Sequence, residues 1–143
     1  KYLNNNQGIV LDGAIRNVDQ AKEYQKFFIK KNVADEVIVI EIKLSDETSW
    51  NRLTKRKVCP SCGFILPYSL ENELKIDCPE CGDKLIIRKD DNPDTIKKRI
   101  EDQGNKAIEP ILNYYQELGL LVNVDGEKNI DKVDEEVCKI LLS

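Results

Sequence analysis

The 143-residue chain has no histidine, no methionine and a single tryptophan, and no apolar run approaches the ~18 residues of a membrane span. Without histidine, cysteine sulfur is the only soft metal ligand available. Without a long apolar run or a signal-peptide pattern at the start, neither a helical anchor nor a secretory leader is expected. The missing methionine, with Lys1 first, implies a fragment, a processed chain or an engineered piece. Aromatic residues are scarce, 6% of the chain, and none interleaves with Lys55 to Lys57. Together with a net charge of -4, this argues against a surface that tracks nucleic acid. The remaining composition, 41% hydrophobic and 34% charged, suits one folded unit with a single core.

Four of the five cysteines form a pattern. Cys59-Pro60-Ser61-Cys62-Gly63 and Cys78-Pro79-Glu80-Cys81-Gly82 are two C-P-x-C-G knuckles, and their separation closes one tetrathiolate site. Each turn aims two thiolates at one point, and the following glycine lets the backbone turn away with positive φ. The alternatives are unrelated core thiols or two disulfides. Zinc is the expected ion, although the same ligands accept iron. Four protein ligands leave no open position, so the ion is expected to be structural. Thiolate knuckles suit a reducing interior, hence the cytoplasm. Cys138 falls on the apolar side of a helical pattern and reads as a buried core thiol.

Strand and helix signals alternate along the chain. Gly8 to Leu11 followed by Asp12-Gly13 reads as a buried parallel strand with a carboxylate at its C-terminal edge. Asn17 and Gln20 form a capping box for a helix carrying Val18, Ala21, Tyr24 and Phe28. Val37 to Ile42 is a β-branched run, read as a strand buried on both faces. Asp46 to Lys57 reads as a helix, and Phe64 to Leu66 and Leu85 to Ile87 as a β-ribbon around the ion. Asn92-Pro93-Asp94 starts a helix that is interrupted near Gly104 and Pro110 and stopped by Gly119. Leu120 to Val124 is a last strand; Val133, Val137, Ile140 and Leu141 mark a closing amphipathic helix. This order predicts an α/β sheet with a metal-bearing insert.

The arginines suggest chemistry. Arg52 and Arg56 are four apart, so a continuous helix sets them on one face, where an anion between them relieves their repulsion. Arg88 leaves the insert beside Asp90 and Asp91, and Arg99 follows. Arginine's planar fork binds phosphate oxygens in pairs and never deprotonates, so this set reads as a phosphate clamp. Lys55, Lys57, Lys89, Lys97 and Lys98 read as a solvated face.

These segments, in this order, resemble the adenylate kinases of the nucleoside monophosphate kinase family, in the type with a zinc-bearing LID. Asp12-Gly13-Ala14-Ile15-Arg16 is similar to an Asp-Gly-aromatic-Pro-Arg segment. Arg52 to Cys59 resembles the entry to the LID, and Arg88 to Arg99 its exit. Pro110 to Tyr115 and Val124-Asp125-Gly126 complete the likeness. The resemblance implies a parallel-sheet P-loop kinase core with a small β-rich zinc LID. The divisions are 1-56 as core, 57-89 as LID and 90-143 as the rest of the core.

For the site it implies Asp12 holding the water shell of Mg²⁺, with Gly13, Arg16 and Gln20 on the AMP side. Arg52 would lie along the ATP adenine, bordered by backbone at Gly126 and Lys128. Arg56 would meet the ATP phosphates, Arg88 and Arg99 the transferring phosphoryl group, and Asp90 and Asp91 would pair with arginine as the LID closes. ATP and AMP are the implied partners, with Mg²⁺ beside structural zinc, and no membrane or nucleic-acid partner. The chain is expected to be monomeric or to pair with a missing N-terminal segment.

The pattern also departs from the family. No G-x-x-x-x-G-K occurs, so the first strand and P-loop are missing from these residues and the chain alone is expected to be inactive. Ala14-Ile15 replaces the aromatic-Pro pair, which leaves the acceptor open. A non-catalytic zinc-stabilised nucleotide-binding or scaffold relative is the alternative, and a nucleic-acid-binding zinc ribbon a third.

Overall fold

The computed structural model describes residues 8–88 and 91–142. It is a mixed α/β structure that divides into two compact units, Lys1–Val39 with Ile108–Val122, and Ile40–Ala107 with Asn123–Ser143. Among the described residues no helix is long and apolar enough to cross a membrane.

In the first unit, helix α1 (Val18–Lys30) begins at Asn17, whose side chain accepts the Gln20 amide at 2.8 Å. Gln20 returns its own oxygen to the Arg16 amide at 2.8 Å, one residue before the cap, so the capping box is present but reaches a step further back. Asn32, at φ 56, ends the helix, with the Val33 amide bonded to the Phe28 carbonyl. A turn of 3₁₀ helix, Ala34–Glu36, leads to the start of strand β1 (Val39–Lys43). Ala21, Ile111 and Tyr115 are buried together, with Ile15, Val18, Val39, Tyr114, Leu120 and Leu121 packed on them.

Residues 8–11 do not form the strand that their composition suggests; Ile9, Val10 and Leu11 are exposed. A parallel strand exists only within a ladder, and among the described residues no strand pairs with this segment.

Strands β1 and β5 (Leu121–Asp125) form a two-stranded sheet. Val39 bonds Leu120 at one end and Gly126 bonds Lys43 at the other, so the strands run parallel. β1 is only half-buried, not covered on both faces. In the second unit the chain continues through α2 (Asp46–Lys55), β2 (Lys57–Val58), β3 (Ile65–Leu66), β4 (Ile86–Ile87) and α3 (Pro93–Gln103). Helix α2 is capped by Ser45 and α3 by Asn92, with Pro93 at its first turn, and the two helices pack side by side.

The split after α3 has a steric origin. A Cβ on Gly104 would lie 2.3 Å from the Ile100 carbonyl oxygen, so only glycine admits the turn that starts α4 (Asn105–Glu117). Pro110 sits inside α4, and Gly119 at φ 70 closes it. Helix α5 (Ile130–Leu142) is amphipathic as predicted, but none of its residues is fully buried and Cys138 is exposed rather than a core thiol.

Candidate functional site

β2 is the middle strand of a three-stranded antiparallel sheet, order β3-β2-β4, and the two knuckles extend from it. Both knuckles close in the same way. The Cys59 amide bonds the Phe64 carbonyl at 2.8 Å and Cys78 bonds Asp83 at 2.7 Å. The Gly63 and Gly82 amides return to the Cys59 and Cys78 carbonyls at 3.0 and 2.9 Å. Gly63 and Gly82 have φ 77 and 78, the left-handed turn expected after each Cys-x-x-Cys.

The four sulfurs converge within 4.8 Å of one another. Cys59 Sγ is 3.4 Å from Cys81 Sγ, and Cys62 Sγ is 3.6 Å from Cys78 Sγ. A disulfide needs about 2.05 Å, so these are free thiols. A tetrahedral ion at about 2.3 Å from each sulfur makes edges of about 3.8 Å, which the group fits. Cys59 and Cys78 are buried while Cys62 and Cys81 are exposed.

The electrostatics agree with a cation's place. The Cys62 amide, aided by that of Ser61, draws the Cys59 thiol down to about 7. The Asp83 amide favours a thiolate at Cys81 too, but the neighbouring sulfurs of Cys59 and Cys62 push it up to about 12. One thiolate forms readily and further ones repel it, a repulsion that a cation among the four sulfurs would relieve.

Arg56 leaves helix α2 as its C-cap, with φ -66 and ψ 144, so it does not share a helix face with Arg52. Its Nη2 donates to Asp91 Oδ1 at 2.7 Å and its Nε to Asp91 Oδ2. Asp91 is almost wholly buried and Arg56 is 23% exposed. The Arg56 guanidinium, by hydrogen bonding and then by its charge, holds the Asp91 carboxyl below the usual range, with Arg88 and Arg99 adding to the effect. Arg56 and Asp91 are therefore paired where the insert joins its two helices, with Arg88 lining the same cavity as Arg56 and the charge of Arg99 acting on the Asp91 carboxylate. Arg52 Nη2 instead donates to the Lys128 carbonyl at 3.4 Å.

Lys55 is exposed and Lys57 half-buried, and both also bond to the insert. Lys57 Nζ donates to the carbonyls of Glu73 and Lys75, both at 2.7 Å, and Lys55 Nζ reaches the Tyr68 hydroxyl at 3.2 Å and Glu73 at 3.5 Å. The two lysines tether the loop between the knuckles. Gly126 is required by close approach, since a Cβ there would meet Ile42 Cγ2 at 2.8 Å and the Lys43 carbonyl at 3.0 Å.

The remaining candidates fall in the first unit or outside the description. Gly13, at φ 61, accepts Arg16 Nε at 3.2 Å, Gln20 serves the helix cap, and Asp12 is exposed. Asp90 lies outside the described residues.

Two residues of this region escaped the sequence reading. Glu127 accepts the Ser45 amide at 2.8 Å and the Thr48 hydroxyl at 2.7 Å, and Asn105 donates to the Leu44 carbonyl and to Asp46 at 2.9 and 2.8 Å. The Thr48 hydroxyl and then the Ser45 amide hold the Glu127 carboxyl below its ordinary range. Both residues close turns through partners distant in sequence, and only their polarity hinted at it.

No family model matches the chain. Curated relatives do. The adenylate kinase of Caldanaerobacter subterraneus is 40% identical over 139 residues, covering 95% of this chain and 61% of that protein. That of Staphylococcus epidermidis is 39% identical over 138 residues, covering 94% and 62%, and that of Chlamydia caviae 35% over 130, covering 91% and 58%. The chain thus spans about three fifths of the length of the relatives it matches. It is a relative of the adenylate kinases, aligned to the C-terminal part of their length and carrying four cysteines positioned to hold one metal ion.

Proposed function

We propose that the protein carrying this chain transfers a phosphoryl group reversibly between ATP and AMP, with Mg²⁺ accompanying ATP, and that zinc fills the tetrathiolate. The observation that carries the reading is the group formed by Arg56, Arg88, Arg99 and Asp91. Arg56 is bonded to Asp91, and the charges of Arg88 and Arg99 act on the same carboxylate, so this end of the insert concentrates guanidinium groups of the kind that bind phosphate oxygens in pairs. Phosphoryl transfer needs positioning and charge stabilisation more than covalent chemistry, which suits arginines set at the two ends of a metal-stiffened insert and on the helix that follows it.

In this reading residues 57–89 act as a lid. Arg56 exchanges Asp91 for phosphate oxygens, Arg88 and Arg99 spread the charge of the transferring group, and Arg52 and the backbone at Gly126 and Lys128 border the ATP base. Asp12, Gly13, Arg16 and Gln20 serve Mg²⁺ and AMP, and Asp90 joins Asp91 in pairing with arginine. Closed tetrathiolate sites belong in a reducing compartment, so in this reading the protein works in the cytoplasm.

The test is ADP formation from ATP and AMP by the complete gene product. Arg88→Ala should lower kcat by roughly a hundredfold or more, the usual cost of losing one stabiliser of developing charge. Turnover equal to wild type would overturn the role of Arg88. Nucleotide binding without any transfer would instead favour a non-catalytic scaffold.

A further inference from the structure

We infer that the four cysteines also form an oxidant-sensitive clasp: hydrogen peroxide joins Cys59 to Cys81 and Cys62 to Cys78 as two disulfides between the knuckles, so the insert releases its ion yet stays closed. The inference rests on the reading of the four sulfurs as one metal site.

Two features of the site carry it. The sulfurs face each other in pairs across the knuckles, Cys59 with Cys81 at 3.4 Å and Cys62 with Cys78 at 3.6 Å. Drawing either pair together by about 1.5 Å reaches disulfide length, a step that side-chain rotation can supply. Each pair also joins a buried cysteine to an exposed one, Cys59 to Cys81 and Cys78 to Cys62. An oxidant therefore reaches one sulfur of each pair from solvent, with its partner in contact behind it.

The exposed thiolate attacks peroxide, the O–O bond breaks, and a sulfenic acid forms at Cys62 or Cys81 with release of hydroxide. The buried partner then attacks the sulfenic sulfur; the S–S bond forms and the oxygen leaves as a second hydroxide. Over both pairs, four thiolates are oxidised to two disulfides and two peroxides are reduced to four waters, with four protons taken from solvent. The ion departs because its ligands were thiolates.

Loss of the ion alone loosens a small thiolate module. Here the new bonds tie the same two turns together, and each turn is closed by backbone bonds that do not pass through the ion. The second has the added Asp77 to Lys84 bridge, where Lys84 Nζ donates to Asp77 Oδ1 at 2.6 Å. Disulfides within each knuckle, Cys59 to Cys62 and Cys78 to Cys81, would leave the two turns untied. The pairing therefore decides whether the insert survives oxidation.

The experiment uses the zinc-loaded chain carrying Cys138→Ala, which removes the exposed cysteine outside the site. Hydrogen peroxide should release one zinc per chain to a chromogenic chelator while the thiols counted in denaturant fall from four to none, and dithiothreitol with zinc should restore both. Trypsin cuts after Lys57, Lys75 and Lys84, so residues 58–75 carry Cys59 and Cys62 and residues 76–84 carry Cys78 and Cys81. Without reduction the two peptides should run as one linked species in mass spectrometry, with fragmentation assigning Cys59 to Cys81 and Cys62 to Cys78. Amide exchange across residues 57–87 of the oxidised chain should stay within roughly threefold of the zinc-loaded chain, whereas the reduced chain stripped by a chelator should exchange faster. Separate peptides with internal disulfides, zinc kept through oxidation, or exchange as fast as in the stripped chain overturn the inference and leave the metal reading intact. A chain that takes up no zinc before oxidation removes the metal reading and the inference with it.

Discussion

Replacing Asp91 by alanine strips Arg56 of both hydrogen bonds to the carboxylate, and the structure allows the cost to be worked out. The pair joins residues 35 positions apart, with Asp91 4% and Arg56 23% exposed at their side chains. Removing one member of a buried pair costs about 3–5 kcal/mol, and Arg56 keeps part of its hydration, so about 3 kcal/mol is expected. Asp91→Asn, which retains one acceptor, should cost roughly half of that. Urea unfolding followed by the fluorescence of Trp50, the single tryptophan, reads the loss directly.

A cycle with Arg56→Met should give a coupling of about 2 kcal/mol, since contacting charges are not additive. The sign with pH follows from the lowered carboxyl of Asp91. Its contribution is complete above the unfolded aspartate value of about 3.9 and drains away as pH falls through the depressed folded value. Wild type and Asp91→Asn should therefore converge in strong acid. Additive single mutants, or an Asp91→Ala loss within about 0.5 kcal/mol of zero, would refute the claim that this pair fastens the insert to its helices.

Cys78→Ser should abolish the stoichiometric binding of one metal ion per chain and speed amide exchange across residues 57–87, because ion binding drives the order of small thiolate modules. Unchanged metal content and melting would show that the four sulfurs do not act together. Gly104→Ala should destabilise by about 2 kcal/mol or more, since the new Cβ meets backbone that has no rotamer to yield; the urea midpoint checks it. Glu127 should titrate below an ordinary glutamate by NMR, so its hold on the start of α2 persists above the usual glutamate range and weakens as pH drops through the lowered value. A normal titration would mean that the Ser45 and Thr48 bonds do not persist in solution.

Features whose determinants lie close together in sequence were legible. The knuckles close through bonds spanning four or five residues, so C-P-x-C-G carries its own geometry. The caps at Asn17 and Asn92 involve partners three residues away and were readable for the same reason. Gly8 to Leu11 has the composition of a strand, but a strand also needs a neighbour that composition does not supply. Cys138 misled similarly: helical periodicity identified an apolar side, not whether anything covers it.

The arginines divide along the same line. Their number and order suggested anion binding, and guanidinium chemistry makes that reading independent of the fold. Helical spacing then put Arg56 beside Arg52, whereas α2 ends at Lys55 and the tertiary structure turns Arg56 to Asp91. Likewise Lys57 looked solvated until the loop carbonyls of Glu73 and Lys75 came within 2.7 Å.

By itself the sequence determined the four cysteines that converge as a possible metal site, the α/β alternation and the kinship with adenylate kinases, since these rest on local geometry and on residue order. Which charge meets which and which cysteine stays exposed were decided only by the tertiary structure. Those outcomes depend on contacts between residues tens of positions apart, and no local pattern encodes them.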